Sequence, residues 1–158
     1  MMTESRSDPE MKPWRIQSLA ATTMLFVATL AGCRDGRPTR VPVAGRVLID
    51  GQPLEHGNIR FYPQNHRAAS AKIGPGGRFT VSTYEFGDGC VYGNHPVSVN
   101  ASQLLNPTTQ RWHAPKKYYS PATSGLMVEV TEPTDEAEIH LSWDGGKPFD
   151  ERILGGGE

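Results

Sequence analysis

From Val41 onward apolar side chains recur at every second position, and this alternation restricts the folds that the chain can adopt. In a β-strand successive side chains point to opposite faces, so apolar residues at every second position line one face. No long stretch after Val41 repeats its apolar residues every 3.6 positions, and the pattern therefore predicts strands rather than helices. The positions that we expect to face inward are Val41, Val43, Gly45, Val47 and Ile49, then Ile59 and Phe61, Phe79 and Val81, Val97, Val99 and Ala101, Leu126, Val128 and Val130, and finally Ile139, Leu141 and Trp143.

Turn signals separate these segments. Asp50-Gly51-Gln52-Pro53 and Gly74-Pro75-Gly76-Gly77 carry the residues that β-turns favour, and a weaker strand is expected around Ala68–Ile73. The 17 glycines and 13 prolines of the 158-residue chain suit many short strands joined by turns. We therefore expect one all-β domain over residues 41–143, a sandwich of about seven antiparallel strands.

Three segments do not fit the strand pattern. Tyr84–Asn94 is a glycine-rich stretch that we expect to be a loop. Ser102–Gly125 predicts a long loop, and loops of that length are usually functional or disordered. Residues 144–158 are rich in glycine and predict a flexible tail.

The N-terminal residues 1–32 have the pattern of a secretory signal peptide. Lys12 and Arg15 precede an apolar stretch, Leu19–Leu30, that is shorter than the roughly 20 residues a transmembrane helix needs. This stretch ends in Leu30-Ala31-Gly32-Cys33, which matches the lipobox of bacterial lipoproteins. We expect cleavage before Cys33 and a lipid on its thiol; an acidic stretch before Lys12 leaves Met11 as an alternative start.

Residues 33–40 then form the lipidated cysteine and a short tether. Seven residues from Arg34 to Arg40 reach at most roughly 25 Å, so the domain must lie close to the bilayer. The residue after the cysteine is Arg34 rather than aspartate, which favours delivery to the outer membrane. Arg34, Arg37 and Arg40 fit two interpretations, contact with anionic head groups or a solvated linker.

Three motifs resemble a family of small bacterial lipoproteins with a transthyretin-like, or carboxypeptidase-regulatory-like, domain. Val43-Ala44-Gly45-Arg46-Val47 followed by Asp50-Gly51-Gln52-Pro53-Leu54 is similar to the family's V-x-G-x-V…D-G-x-P-L opening. Gly77-Arg78-Phe79 is similar to its D-G-x-F turn and strand. The segment from Pro115 to Leu126 resembles its P-x-K-Y-x-x-P-x-T-S-G-L block and is the most specific of the three.

The resemblance implies a transthyretin-like or immunoglobulin-like sandwich that serves as a structural or binding module, without peptidase activity. Two departures matter. Gly74 and Gly76 stand where the family turn usually carries acidic residues, so a cation role of that turn is not expected. His95 stands at a position where the family often has tyrosine, which would remove or alter a clasp made by the tyrosine hydroxyl.

The histidine, cysteine and acidic residues show no catalytic or metal-binding pattern. The formal net charge of -1 gives no basic field for nucleic acid. The five histidines, His56, His66, His95, His113 and His140, lack ligand spacing, and His140 should point outward.

Cys90 fits a part-buried free thiol better than a nucleophile, with an intermolecular disulfide as a third interpretation. Glu85 and Asp88 fit a solvated acidic turn better than a calcium loop. We expect no catalytic residues, metal or cofactor.

The candidate binding surface lies in the long loop and comprises Trp112, Lys116, Lys117, Tyr118 and Tyr119. Aromatic and basic side chains together are common at recognition sites. The alternative is that Trp112 and Tyr118 close one end of the sandwich while the lysines are solvated. Adjacent side chains in extended chain point opposite ways, and we expect Tyr118 to be packed and Tyr119 exposed.

Two classes of function remain open. The first is a lipid-anchored, non-catalytic module of the cell envelope that binds a protein, a cell-wall polymer or a glycan, or has a structural role. The second is a small hydrolytic or metal-dependent envelope enzyme. A deep pocket with convergent polar groups would favour the enzyme, and a shallow aromatic surface would favour binding.

Overall fold

A computed structural model of the chain describes residues 36–153. The chain divides into two units, residues 1–37 and residues 38–158, and the fold below is that of the second. The signal peptide of residues 1–32 and the lipidation of Cys33 lie outside the described residues and remain predictions.

Short strands make up most of the described chain. None of the helices in residues 36–153 has the length and apolar character needed to cross a bilayer. The helical elements are two 3₁₀ turns, Pro75–Gly77 and Lys116–Tyr119, and one short helix, α1 (Pro121–Ser124). The strands in this part of the chain are β1 (Arg40–Val41), β2 (Val43–Ile49), β3 (Gln52–Pro53), β4 (Asn58–Phe61), β5 (Ala69–Lys72), β6 (Arg78–Thr80), β7 (Cys90–Val91), β8 (Gly93–Asn100), β9 (Ser102–Asn106), β10 (Thr109–Trp112), β11 (Leu126–Val130), β12 (Thr134–Leu141) and β13 (Phe149–Arg152).

Two larger sheets form the sandwich. One has the order β12-β2-β3, with β6 also paired to β2, and the other has the order β11-β8-β4-β5. Phe61 of β4 and Phe79 of β6 come from opposite sheets, and their ring centroids are 6.3 Å apart. Both belong to one buried hydrophobic cluster, so the core lies between the sheets. The expected all-β sandwich is confirmed.

The alternating pattern correctly predicted most residues that face the core; the exception is Trp143, which lies beyond the end of β12 and outside the hydrophobic cluster. Val43, Val47, Ile59, Phe61 and Val97 are at most 2% exposed. The weak strand around Ala68–Ile73 is present as β5. Burying these side chains is the main driving force for folding, at roughly 1.5–3 kcal/mol for each large aliphatic or aromatic side chain.

Gly45 of β2 is required by the close approach of β12. A Cβ atom at Gly45 would lie 1.9 Å from the carbonyl oxygen of Ala137, a backbone atom that cannot move aside. The glycine of the V-x-G-x-V motif therefore has a packing role, because any larger residue would push the two strands apart.

The expectation of an entirely antiparallel sandwich is wrong for one strand pair. β12 runs parallel to β2, from Thr134↔Val43 to Leu141↔Ile49. Only three residues connect the end of β11 at Val130 to the start of β12 at Thr134. This connection crosses from one sheet to the other, so the direction of β12 is not set by a hairpin with its neighbour.

The expectation of an irregular loop over Ser102–Gly125 is also wrong. β9 and β10 form an antiparallel hairpin, followed by the second 3₁₀ turn and α1. Asn106 Oδ1 accepts hydrogen bonds from Thr108 N at 3.0 Å and Thr108 Oγ1 at 3.1 Å, which fixes the turn. β9 is exposed along most of its length, so its sequence carries no alternating pattern. The expectation of a loop over Tyr84–Asn94 is likewise wrong at its C-terminal end, where Cys90–Val91 forms β7, paired with β1, and Gly93 begins β8.

The composition of the tail from Asp144 predicted a flexible segment, but part of this tail forms a strand. Phe149–Arg152 forms β13, which pairs antiparallel with β10 from Thr109↔Arg152 to Trp112↔Phe149. An ion pair and a ring contact hold it in place: Arg111 Nε lies 2.6 Å from Asp150 Oδ1, and the Phe149 and Trp143 ring centroids are 6.5 Å apart. Most of the glycines that suggested flexibility, Gly155, Gly156 and Gly157, lie outside the described residues.

Candidate functional site

The five residues of the candidate binding surface do not form one exposed surface. Trp112 ends β10 and is buried, with 7% of its surface exposed. The other four form the 3₁₀ turn Lys116–Tyr119, of which Tyr118 is buried. The 3₁₀ turn Lys116–Tyr119, which we call the lid, joins the core through Tyr118. Trp112 is buried outside that hydrophobic cluster, against Tyr119 and Lys116, so the alternative that Trp112 and Tyr118 close the sandwich end fits Tyr118 only.

The two adjacent tyrosines face opposite ways, as predicted. Tyr118 is 5% exposed and belongs to the hydrophobic core. Its hydroxyl accepts a hydrogen bond from Ser142 N at 3.0 Å, which ties the 3₁₀ turn to the chain after β12. Tyr119 is 57% exposed, and its ring forms a T-shaped pair with the Trp112 ring, with 6.3 Å between centroids.

Both lysines of the turn are held by carboxylates from the C-terminal segment. Lys116 pairs with Glu151 and Lys117 pairs with Asp144. Lys116 Nζ also lies 5.3 Å from the centroid of the Trp112 ring. These cations are therefore engaged within the domain, and the basic character that suggested a recognition surface is largely neutralised.

Glu151 is the centre of this network. Its carboxylate accepts hydrogen bonds from Lys116, from Gln110 Nε2 at 2.9 Å and from Trp112 Nε1 at 2.9 Å. These bonds, with that from Lys116 the strongest, lower the pKa of Glu151 from 4.5 to about 2. Glu151 is thus ionised at any physiological pH and holds β13 against the lid.

A groove of about 350 Å³ lies beside Tyr119, on the outer face of the β11-β8-β4-β5 sheet. Arg60 of β4 stands opposite Ser70 of β5 on one side and opposite Ser98 of β8 on the other. The segment from Tyr119 to Pro121 forms a wall of the groove. Its lining residues are Asn58, Arg60, Tyr62, Ser98, Asn100, Tyr119, Ser120 and Pro121.

Several hydrogen-bonding groups in the groove have no partner in the described part of the chain. The guanidinium of Arg60 and the side-chain amide of Asn58 make no hydrogen bond or ion pair there. Asn100 uses its Oδ1 atom to accept from Ser102 N at 3.1 Å, which leaves its amide N–H groups available. The hydroxyls of Tyr62 and Ser98 lie 3.2 Å apart and form a polar floor. The groove therefore offers several donors beside one exposed aromatic ring.

Sequence reasoning identified only Tyr119 among these groove residues. The others come from three segments that are distant along the chain, residues 58–62, 98–100 and 119–121. The available signal was weak: polar residues alternate with apolar ones in Asn58-Ile59-Arg60-Phe61. That pattern assigns Asn58 and Arg60 to the outer face but does not indicate a groove.

Cys90 is not positioned to act as a nucleophile. Its side chain is fully buried, and burial raises the pKa of the thiol to about 11. A thiol in that state stays protonated and unreactive near neutral pH. The interpretation of Cys90 as a buried free thiol agrees with this placement.

Asp88 has a structural role that the sequence did not indicate. Its carboxylate accepts from Thr83 N at 2.6 Å, Tyr84 N at 3.1 Å and Glu85 N at 3.2 Å, and Arg40 Nε lies 2.9 Å away. Burial raises the pKa of Asp88, but the backbone donors and Arg40 outweigh burial and lower it overall. This carboxylate is engaged by its own loop and by Arg40, which fits a structural role better than a calcium ligand.

Two histidines that are far apart in sequence come together in space. The rings of His56 and His113 stack with 4.4 Å between centroids, and His113 Nε2 donates to Gln103 Oε1 at 2.9 Å. Burial, with His56 and Arg111 nearby, lowers the pKa of His113. His140 points outward, as predicted. Within residues 36–153 no three histidine, cysteine or acidic side chains converge as a metal site would require.

A comparison with protein-family models, curated proteins and solved structures finds no match for this chain.

Proposed function

We propose that this chain is an exported module of the bacterial cell envelope, anchored by lipid on Cys33 to the outer membrane, with a non-catalytic binding role. We further propose that the groove beside Tyr119 binds a polar polymer of the envelope, a cell-wall glycan. The lipobox at Leu30–Cys33 supports the anchoring, and the chemistry of the groove supports the binding role.

The observation that carries the proposal is the pairing of free donors with an exposed aromatic ring. A sugar has a rim of hydroxyl groups and a flatter face of C–H groups. Arg60, Asn58 and Asn100 would hydrogen-bond to the hydroxyl rim, while the Tyr119 ring would pack on the C–H face. Donors on a rigid sheet need little rearrangement to bind, which reduces the cost of association.

A glycan fits the groove better than a protein partner does. The lining is mainly polar and contains no large aliphatic residue, whereas the buried centre of a stable protein interface is enriched in apolar anchors. Cys90 is not a candidate nucleophile, because burial raises the pKa of its thiol to about 11.

The proposal is tested by sedimentation of the processed protein with insoluble peptidoglycan and by titration with soluble cell-wall glycan fragments. We expect Tyr119→Ala and Arg60→Gln each to weaken binding about tenfold, which corresponds to a loss of about 1.4 kcal/mol. Both side chains are exposed, so folding should be unchanged.

Matched controls are available elsewhere on the surface. Tyr92 is 52% exposed and lies outside the groove, so Tyr92→Ala controls for the loss of an exposed ring. Arg152→Gln controls for the loss of an exposed arginine. The proposal is wrong if the unmodified protein is not retained by any glycan, or if the groove and control variants bind equally well.

A further inference from the structure

Phe86 is an aromatic side chain that a well-fixed loop holds in solvent. It is 92% exposed. The loop around it is braced by the three backbone donors to Asp88 and by Gly87 N, which donates to Ser82 Oγ at 2.9 Å. The exposure of Phe86 therefore follows from an ordered loop conformation, which leaves its ring available to another surface.

This loop lies where the chain from Cys33 joins the sandwich. β1 pairs with β7, the strand that directly follows the loop. Arg40 of β1 lies 2.9 Å from Asp88 and stacks over the Tyr84 ring at 4.8 Å from its centroid. If Cys33 carries the lipid anchor, its seven-residue connection to Arg40 spans at most roughly 25 Å and keeps this loop close to the bilayer.

Cationic side chains flank Phe86. Phe86 borders a depression of about 250 Å³ together with Phe79, Lys72 and Arg78. The side chains of Lys72 and Arg78 have no hydrogen bond or ion pair within the described residues. An exposed aromatic ring with unpaired cations beside it matches the chemistry of a membrane interface, where rings sit at head-group level and cations meet anionic lipids.

We infer that the surface formed by Phe86, Lys72 and Arg78, the Phe86 face, rests on the anionic phospholipid surface of the membrane that carries the anchor. This inference depends on the proposed lipidation of Cys33. The Phe86 ring enters the boundary between head groups and acyl chains, and the two cations lie among the phosphates. The contact orients a domain that the anchor alone would leave free to tumble.

The test uses the processed, lipidated protein in vesicles of phosphatidylethanolamine and phosphatidylglycerol. A fluorophore is attached at Phe86→Cys or, as a control, at Leu104→Cys in the exposed β9–β10 hairpin. Cys90 is buried and should not react, which labelling of the unsubstituted protein verifies. Lipids with a nitroxide near the head group should quench about half or more of the signal at position 86 and little at position 104, because interfacial side chains lie about 5–10 Å into the boundary.

The charge requirement is tested with Lys72→Gln and with vesicles of phosphatidylcholine alone, each of which should lower the quenching at position 86. Lys72 is the cleaner position, since Arg78 also borders a depression lined by Asp135, Glu136 and Glu138. Protein that floats with the vesicles but shows equally weak quenching at positions 86 and 104 would overturn the inference and leave the anchoring intact. Protein that does not float would overturn both, because one exposed ring cannot hold the domain on a membrane.

Discussion

The two adjacent tyrosines of the 3₁₀ turn lie in opposite environments. Tyr118 lies in the core with its hydroxyl bonded to Ser142, and Tyr119 stands in solvent beside the groove. The same residue type thus serves packing at one position and, by our proposal, ligand binding at the next. Their contributions to stability and to binding should separate.

We expect Tyr118→Ala to lower the free energy of unfolding by about 3–5 kcal/mol, the usual cost of truncating a buried aromatic residue. Tyr119→Ala should change it by no more than about 0.5 kcal/mol, as for other surface positions. Tyr118→Phe keeps the ring and removes only the hydroxyl bonds, so it should cost about 0.5–1.5 kcal/mol. Urea denaturation of the three variants provides the measurement, and equal small effects for both alanine variants would contradict the role of Tyr118 as a core residue.

The contrast between buried and exposed positions also explains which residues could be predicted from the sequence. Ile59, Phe61 and Val97 were assigned correctly because a buried strand face imposes a period of two on the sequence. Arg60 and Phe86 were not recognised as functional candidates because exposed positions obey no such period. Their significance depends on neighbours from other segments, which only the folded chain reveals.

At the scale of elements, the sequence predicted the apolar strands and missed the polar ones. β4, β5 and β8 follow alternating apolar residues. β10 and β13 instead pair through Arg111 with Asp150, and through the network around Glu151. Opposite charges in two segments about 40 residues apart give no local sequence pattern. The sequence of a strand that they hold therefore cannot be distinguished from that of a polar tail.

The docking of β13 should depend on pH. The pKa of Glu151 is lowered in the folded protein, from 4.5 to about 2, so its stabilising effect is fully present above about pH 4.5 and is lost as the pH falls towards 2. Trp112 donates to Glu151, and its fluorescence should therefore report release of the strand over this range. Hydrogen exchange of the β13 amides provides an independent measurement.

Glu151→Gln should weaken β13 at neutral pH and flatten this part of the pH profile, because no carboxylate remains to be protonated at that position. Glu132→Gln, at an exposed position in the connection between β11 and β12, is the matched control and should behave like the unsubstituted protein. If Glu151→Gln leaves the profile unchanged, the carboxylate does not hold the strand.

At the scale of the whole domain, the structure has two distinct ends. β2 runs from Val43 to Ile49. At its start, the carbonyl oxygen of Val43 accepts a hydrogen bond from Val81 N, close to the Phe86 loop. Asp50 follows Ile49 and accepts from Trp143 N, close to the Tyr118–Ser142 bond that closes the lid. A seven-residue strand spans roughly 20 Å, so the point where the chain enters the sandwich and the lid lie at opposite ends. An anchored domain resting on the Phe86 face would hold the lid away from the membrane.

This orientation of the domain depends on the lipid anchor at Cys33. Cys33→Ser removes the thiol that accepts the lipid, so the chain should accumulate as uncleaved precursor, and no protein should partition into the detergent phase on Triton X-114 separation. Each buried CH₂ contributes about 0.8 kcal/mol and two acyl chains suffice for stable anchoring, so the loss of partitioning should be complete rather than gradual. Cys90→Ser is the matched control, since it changes the other cysteine and should leave processing intact. A Cys33→Ser protein that is still processed and still enters the detergent phase would show that the anchor lies elsewhere, and the short connection to the Phe86 loop would then no longer place that loop at a membrane.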